Sequence, residues 1–220
     1  ASNYLTLLGF VPKNLIRVGI DPIKDPTFLL NKNTNTNLVI QDYFSAKVFK
    51  ESKYGNKKAK VITCISCFYD IENNNKFLQD IYDVLDDDGL FVLQFSYTPL
   101  MIKQLAFDNL CHEHCYYYSL VNLKKIFERN NFTIMDCVLN DVNAGSARIY
   151  LMKNSGNKKY FSTQPFRDVA QFRVDSLLEY EKTLQLDSAE TWENFKKEID
   201  LLKNKLTYFL KEEKAKGKIV

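Results

Sequence analysis

The chain's two histidines, His112 and His114, both fall in the stretch FDNLCHEHCYYYSL, either side of Glu113, with Cys111 and Cys115 outside them and Tyr116, Tyr117 and Tyr118 following. Histidine ordinarily titrates near neutrality, so this stretch is where a proton is most readily taken up and returned. Two other uses fit the same spacing. Alternate residues of a strand share a face, so the pair could hold a metal ion, and the stretch could also be a plain surface turn. Cys64-x-x-Cys67 has zinc-like spacing as well. Cys64, however, lies in an apolar segment, where a thiol behaves as a small core hydrophobe, and no metal is expected.

A scaffold has to carry these residues, and the flanking pattern describes one. Residues 15–21 (LIRVGID), 38–41, 60–65 (KVITCI) and 90–95 are short apolar runs, the mark of strands buried on both faces. Helical spacing lies between them at 44–52 and 75–85, where Phe77, Leu78, Ile81 and Leu85 fall on one stripe, and 86–89 reads as a turn. This alternation predicts an α/β protein built on one parallel sheet. Ligands of such sheets bind beyond the carboxyl ends of the strands. Asp21, Asp42 and the loop 66–72 all follow strands, so they are expected on one rim.

Outside that core, residues 4–8 read as the tail of a helix stopped near Gly9 and Pro12, while Pro22, Pro26 and the polar run 31–37 read as loop. Residues 121–129 predict a helix with Leu123, Ile126 and Phe127 inward, and 132–139 and 146–152 predict two antiparallel strands joined through NDVNAG. From 167 the pattern is helical. One amphipathic helix runs to 184, and a second runs from Asp187 or Ser188 to near Lys214, with Asp187 and Glu190 in capping-box spacing. Residues 218–220 read as the opening of a strand. A strand without a partner at one end, and a helix with no strand before it at the other, predict a segment cut from something longer or completed by partners. The apolar stripes of the last two helices predict packing on each other, on a further domain or on a second copy.

Composition narrows the partners. Thirty basic residues against 27 acidic ones leave a net charge of +3, too even for nucleic acid or an anionic membrane, and no basic and aromatic track runs through the chain. KKAK at 57–60 and KEEKAKGK at 211–218 read as solvated surface. No apolar run approaches the roughly 18–20 residues of a membrane helix. The opening ASNYLTLLGF has no basic region and no cleavage signal, so a cytoplasmic setting is expected. Five cysteines, an odd number without a scaffold pattern, are expected as thiols.

With the elements in that order, VGIDP, SCFYDIE, DDDGLFVLQFSY, FDNLCHEHCYYYSL and NDVNAGSARIY together resemble the class I S-adenosylmethionine-dependent methyltransferases that C-methylate nucleotide-linked keto-deoxysugars. The resemblance covers residues 1–152 and, less specifically, the helical 160–220. It implies a Rossmann-like class I methyltransferase sheet over 1–155 and a helical extension, 156–220, that opens a carboxyl-terminal domain. Full-length relatives also carry an amino-terminal zinc domain, so the resemblance implies truncation at both ends.

S-adenosylmethionine is the implied cofactor. Ser2 and Asn3 would end the turn that holds its methionine part, Asp21 would accept from the ribose diol and Asp42 from the adenine amino group. Tyr43 or Phe44 would lie against the ring, and Ser66 would line the other side in a loop reaching Asp70, which stands where several relatives have a histidine at the sugar site. In the family, Ser-Asn is followed by Asp-Gly-Thr. Here Tyr4-Leu5-Thr6 follows, and neither Tyr4 nor Leu5 is expected to take the positive φ that glycine supplies.

His114 is the implied general base, with Glu113 and His112 positioning and polarising and Tyr117 or Tyr118 within reach. The implied substrate contacts are Cys111, in place of the tyrosine many relatives have, Asn140, Asn143 beside the Gly145-Ser146 turn, and Arg148, which as a strand residue equally suits the surface. The implied partner is a nucleotide-linked sugar, with no nucleic acid and no membrane, and with self-association through the carboxyl-terminal helices. The alternative is a non-catalytic binding or assembly module that keeps the fold without the cofactor turn.

Overall fold

The computed structural model describes residues 5–24, 36–157 and 166–219. Its strands form two sheets. β1 (Val18–Ile20) and β2 (Leu38–Ile40) pair in parallel, with Ile20 opposite Ile40. The larger sheet has the order β3-β4-β6-β5, from β3 (Ala59–Ile65), β4 (Leu85–Ser96), β5 (Phe132–Asn140) and β6 (Ser146–Lys153). β3 and β4 are parallel, and β4–β6 and β6–β5 are antiparallel. The antiparallel pair falls where the apolar pattern puts it.

The single parallel sheet expected from the sequence is corrected in one respect. Among the described residues no strand joins β1 to β3. β1 is also shorter than the 15–21 run, because the Arg17 N–H goes to the Asn37 Oδ1 at 2.9 Å and so leaves the strand ladder.

The acidic 86–89 segment is part of β4 and does not end it. Ala59 pairs with Leu85 but Val61 pairs with Leu90, so these four residues loop out as an enlarged bulge. Each aspartate there is fastened. Asp86 meets Lys60 Nζ at 2.8 Å, Asp87 meets the buried Lys153 Nζ at 3.0 Å, and Asp88 accepts from the Asn157 N–H at 2.7 Å.

Three helices of this half open on a side chain that accepts an otherwise orphaned N–H. Ser45 caps α2 (Ala46–Lys50), Asn73 caps α3 (Asn74–Val84) and Ser119 caps α5 (Leu120–Arg129). Two four-to-six-residue helices, α1 (Thr6–Gly9) and α4 (Thr98–Lys103), complete this half. The apolar stripes of α3 and α5 bury Leu78, Ile81, Leu123 and Phe127 against Phe91, Leu93, Phe95 and Phe132 of the sheet.

The tail is part of this core. In α6 (Phe166–Thr183), Val174 joins the main apolar cluster, and the Arg173 guanidinium forks onto Asp136 of β5 at 2.8 and 2.6 Å. Glu181, 3% exposed, accepts from the Tyr97 hydroxyl at 2.6 Å and from the Leu120 and Val121 N–H groups at 2.5 and 2.8 Å. A carboxylate from α6 thus occupies the amino-terminal end of α5, where the helix dipole favours it. Burial and the Glu181 contact push the Tyr97 hydroxyl far up, so it stays a donor.

α7 (Ala189–Ala215) begins at Ser188, whose Oγ accepts the Glu190 N–H. That corrects the Asp187 capping box. Its near end packs Phe195 against Met101 and Ala106, whereas Leu206 and Phe209 further along are 54% and 56% exposed. Lys218 and Ile219 form no strand, so the strand expected there is not seen, and Val220 lies outside the described residues.

Replacing Glu181 with Ala should be among the costliest single changes, because it strands two buried helix-end donors and a buried hydroxyl. A loss of about 3–5 kcal/mol is expected on the scale of breaking a buried charged network. Urea unfolding followed by circular dichroism measures it, and a change below about 1 kcal/mol would show the clamp to be dispensable.

Candidate active site

The carboxyl ends of the strands gather the acids. β1 ends at Ile20 and β2 at Ile40 in parallel register, and the Asp21 N–H donates to the Ile40 carbonyl at 3.0 Å, so Asp21 and Asp42 leave neighbouring strands on one rim. Asp21 is 5% exposed and its Oδ1 accepts the Ile23 N–H. Asp42 is exposed and its Oδ1 accepts the Tyr43 N–H at 2.7 Å. Tyr43 is 76% exposed, whereas Phe44 packs edge-on against Phe77 in the core. Of the two aromatics expected against an adenine ring, Tyr43 is therefore the one not taken up by the core.

Ser66 follows β3 with φ 51°. Its Oγ accepts from the Asn143 Nδ2 at 3.4 Å, which ties this exit turn to the β5–β6 connection. Gly145 holds that connection at φ 110°, and a Cβ there would lie 2.6 Å from the Leu100 Cβ. Asn140 turns back to accept the Val142 N–H. Arg148 points both Nε and Nη2 at the Gln94 Oε1, its cross-strand partner, at 3.0 and 2.8 Å.

Ser2 and Asn3 lie outside the described residues. The expectation for the adjoining backbone is corrected at Leu5. It takes φ 59° without being glycine and is 2% exposed, so burial of the leucine side chain offsets the conformational cost.

The histidine stretch is a turn and not a strand. The His114 N–H donates to the Cys111 carbonyl, so His112 and Glu113 sit at the tip, exposed, and the shared-face reading of the two histidines falls. Among the described residues no cluster of three metal-ligating side chains forms.

The turn is docked on the 3-10 segment Phe68–Asp70 that follows β3. The Tyr116 N–H donates to the Tyr69 carbonyl at 3.1 Å, the Tyr116 hydroxyl to the Glu72 carbonyl at 2.9 Å, and the Cys115 thiol to the Asp70 carbonyl at 3.7 Å. His114 is half-buried with its ring 4.3 Å from that of Tyr69 and 6.2 Å from that of Tyr117. Burial raises the Tyr117 hydroxyl, and the Cys111 backbone pulls it partly back.

Downstream, Tyr118 anchors the stretch. It bridges Tyr97 in parallel, its carbonyl accepts the Thr98 N–H, and its hydroxyl accepts from Asn74. Beside the turn opens a groove of about 830 Å³, with Tyr116 and Tyr117 on its walls together with Asn122, Lys125, Ile126 and Arg129.

Tyr69 was not read from the sequence as a site residue. Its position one residue before Asp70, in a loop already assigned to the rim, is the signal that could have found it. The structure brings His114, Tyr117 and the loop beginning at Ser66 together, with Asn143 on Ser66, and leaves His112 and Glu113 facing solvent. Arg148 goes to a neighbour within its own sheet.

Comparisons with known proteins give the family. A family model described as "Methyltransferase domain" matches residues 10–136, more than half of the chain, and one described as "C-methyltransferase C-terminal domain" matches residues 141–220. The chain is 29% identical to the C-methyltransferase NovU of Streptomyces niveus over 134 residues, 60% of this chain and 31% of that protein. It therefore spans less than a third of that relative. Among solved structures, the plantazolicin methyltransferase BpumL, crystallised with a triazolic desmethylPZN analog and SAH, superposes with a TM-score of 0.48 at 13% identity, over 69% of this chain and 73% of the other. The YcgJ protein of Bacillus subtilis gives 0.47 at 14%, over 63% of this chain and 82% of the other.

Asp70 offers a test of the site's electrostatics. Burial raises its carboxyl above the ordinary value, with His114 pulling down and Glu113 pushing up. The folded chain therefore keeps this proton to a higher pH than the unfolded chain, and stability falls as pH rises from the ordinary aspartate range through the raised value. Asp70→Asn removes that titration. Its urea midpoint should match the wild type at low pH and exceed it increasingly as pH climbs through the window. A difference independent of pH would show that Asp70 does not titrate this way.

Proposed function

We propose, from the premise that this chain belongs to the class I S-adenosylmethionine-dependent C-methyltransferase family, that it methylates a carbon beside the ketone of a nucleotide-linked keto-deoxysugar. The observation that carries this reading is the seating of His114 against Tyr69, in the segment that leaves the carboxyl end of β3. A carbon accepts a methyl group once it is nucleophilic, and removing a proton next to a ketone makes it so.

The residues present fit the cofactor. Two carboxylates on one rim, Asp21 and Asp42, suit a ribose diol and an adenine amino group, and Tyr43 offers an exposed ring beside Asp42. When bound, S-adenosylmethionine supplies an electrophilic methyl group on sulfur. Ser66 would flank it, and Ser2 and Asn3 would hold its methionine end.

The chain's own part is proton handling and orientation. The His114 imidazole takes the proton from the substrate carbon, and contact with the Tyr69 ring limits how far the imidazole can swing. Tyr117, a phenol that keeps its proton at neutral pH, donates toward the enolate oxygen that forms. Glu113 and His112, at the tip of the same turn, polarise the base from the solvent side. Cys111, Asn140 and Asn143 would contact the substrate, and Arg148 would do so only by leaving Gln94. The groove beside the turn offers aromatic surface at Tyr116 and Tyr117 and cations at Lys125 and Arg129, with Glu128 among them, as room for part of such a substrate. We place the methyltransferase unit at residues 1–155 and the start of a carboxyl-terminal one at 156–220; β6 ends at Lys153, while α6 of the second part still packs on the sheet of the first.

Mass spectrometry of a panel of nucleotide-linked keto-sugars incubated with S-adenosylmethionine and the protein tests the reading. Addition of one methyl group on carbon is expected, and transfer to oxygen alone would overturn it. His114→Gln should keep cofactor binding while slowing turnover by roughly 10²- to 10⁴-fold, with loss of solvent-deuterium exchange at the α-carbon. Undiminished exchange would assign the base to His112 or Glu113. Asp21→Asn should weaken S-adenosylmethionine by about tenfold to a hundredfold in calorimetry, the scale of a charge-assisted hydrogen bond. Unchanged affinity would remove Asp21 from the cofactor site.

A further inference from the structure

The turn that seats His114 begins at a pair of cysteines. Cys64 is buried near the end of β3 and Cys67 is half-buried at the start of the Phe68–Asp70 segment, with their sulfurs 3.1 Å apart. The two residues between them include Ser66, whose positive φ makes the chain reverse and so brings the thiols together. With Cys64 as donor, the shared hydrogen bond lowers the Cys67 thiol to about 6 and holds Cys64 well above its ordinary value. A partly exposed thiol, made more acidic by a buried second one that donates to it, is the arrangement of a nucleophile and its resolving partner. The other three cysteines lack this arrangement: among the described residues, Cys111 and Cys115 occupy the His114 turn, and Cys137 is buried alone in β5.

We propose that Cys64 and Cys67 form a redox-active dithiol, oxidised by a low-molecular-weight disulfide, and that its closure alters the segment against which the His114 turn is docked. The step balances as a thiol–disulfide exchange. The Cys67 thiolate attacks one sulfur of RSSR, an S–S bond breaks, and RS⁻ leaves with the proton that Cys67 gave up. Cys64 then loses its proton, its sulfur displaces the second RS⁻ from Cys67, and that RS⁻ takes the proton. Two protein thiols and one RSSR yield one protein disulfide and two RSH, with the protein oxidised by two electrons. Tyr69 lies two residues from Cys67, and its carbonyl and ring hold the Tyr116 N–H and the His114 ring. A covalent link that shortens the Cys64–Cys67 separation therefore reaches the proposed base through a single turn of chain.

Oxidised glutathione is the probe. The chain is incubated with it in excess, acid-quenched, alkylated with N-ethylmaleimide and mapped by peptide mass spectrometry. A Cys64–Cys67 link should appear first, with Cys111, Cys115 and Cys137 alkylated, and Cys64→Ser should stop at a glutathione adduct on Cys67. Recovery of both Cys64 and Cys67 in alkylated form after Cys111 or Cys115 has reacted would overturn the dithiol. The wild-type map stands whether or not Cys64→Ser folds. Hydrogen exchange reads the coupling. The Tyr116 amide should exchange about tenfold faster in the oxidised chain, the scale of one weakened hydrogen bond, and an unchanged rate would overturn the link to the His114 turn.

Discussion

Where the histidine turn rejoins the core is set by a single buried carboxylate. Glu181 satisfies two amides that α5 cannot satisfy itself and a tyrosine hydroxyl at the end of β4, and it reaches them across 60 to 84 residues of sequence. The cost of burying an ionised carboxyl is large unless its oxygens are fully engaged. Here three donors meet two oxygens, one of them backed by the positive end of a helix. The benefit runs in the other direction as well. Leu120 and Val121 follow Tyr118, so fixing their amides fixes where the histidine turn rejoins the core.

A second contact of the same kind sets the angle of α6. The Arg173 fork on Asp136 is bidentate, and Asp136 also accepts the Cys137 N–H, so the carboxylate is held on the strand side before the arginine arrives. With Val174 in the same apolar cluster as Phe91 and Phe127, α6 belongs to the layer that covers the larger sheet. α7 does not. Only its first turns reach Met101 and Ala106, and the remainder carries its leucines into solvent.

What could be read from the residues divides along range. The stripes of α3 and α5 and the β5–β6 pair were legible to within a residue or two, because helical and strand periodicity are local properties of neighbouring side chains. The neighbouring placement of Asp21 and Asp42 at the ends of β1 and β2 followed from strand direction alone, as did that of Ser66 just past β3. The parts that escaped depend on distant partners. Asp86 to Gly89 has the composition of a turn, and Lys60, Lys153 and Asn157 hold it inside a strand. His112 and His114 alternate as strand residues would, yet the Cys111 carbonyl captures the His114 amide and bends the chain. Phe44 looked as available as Tyr43 until Phe77 took it into the core. Leu5 adopts a backbone that its side chain disfavours, because the site it fills is buried. Glu181 gave no local signal at all, since nothing near it in sequence indicates that its partners are the amides of another helix.

The basic run at 57–60 also has a use that charge counting does not reveal. β3 pairs with β4 on one side, and among the described residues its other side bears no strand, with Val61 58% exposed. An open strand edge with apolar side chains invites a second molecule to add a strand of its own, and lysine is a common deterrent, since pairing would force like charges together. Lys57 and Lys58 lead directly into this strand, and Lys60 lies within it, its charge shared with Asp86. The cluster therefore bears on colloidal behaviour: neutralising it, by acetylation or by high salt, would remove an electrostatic barrier between copies of the chain and favour their association edge to edge.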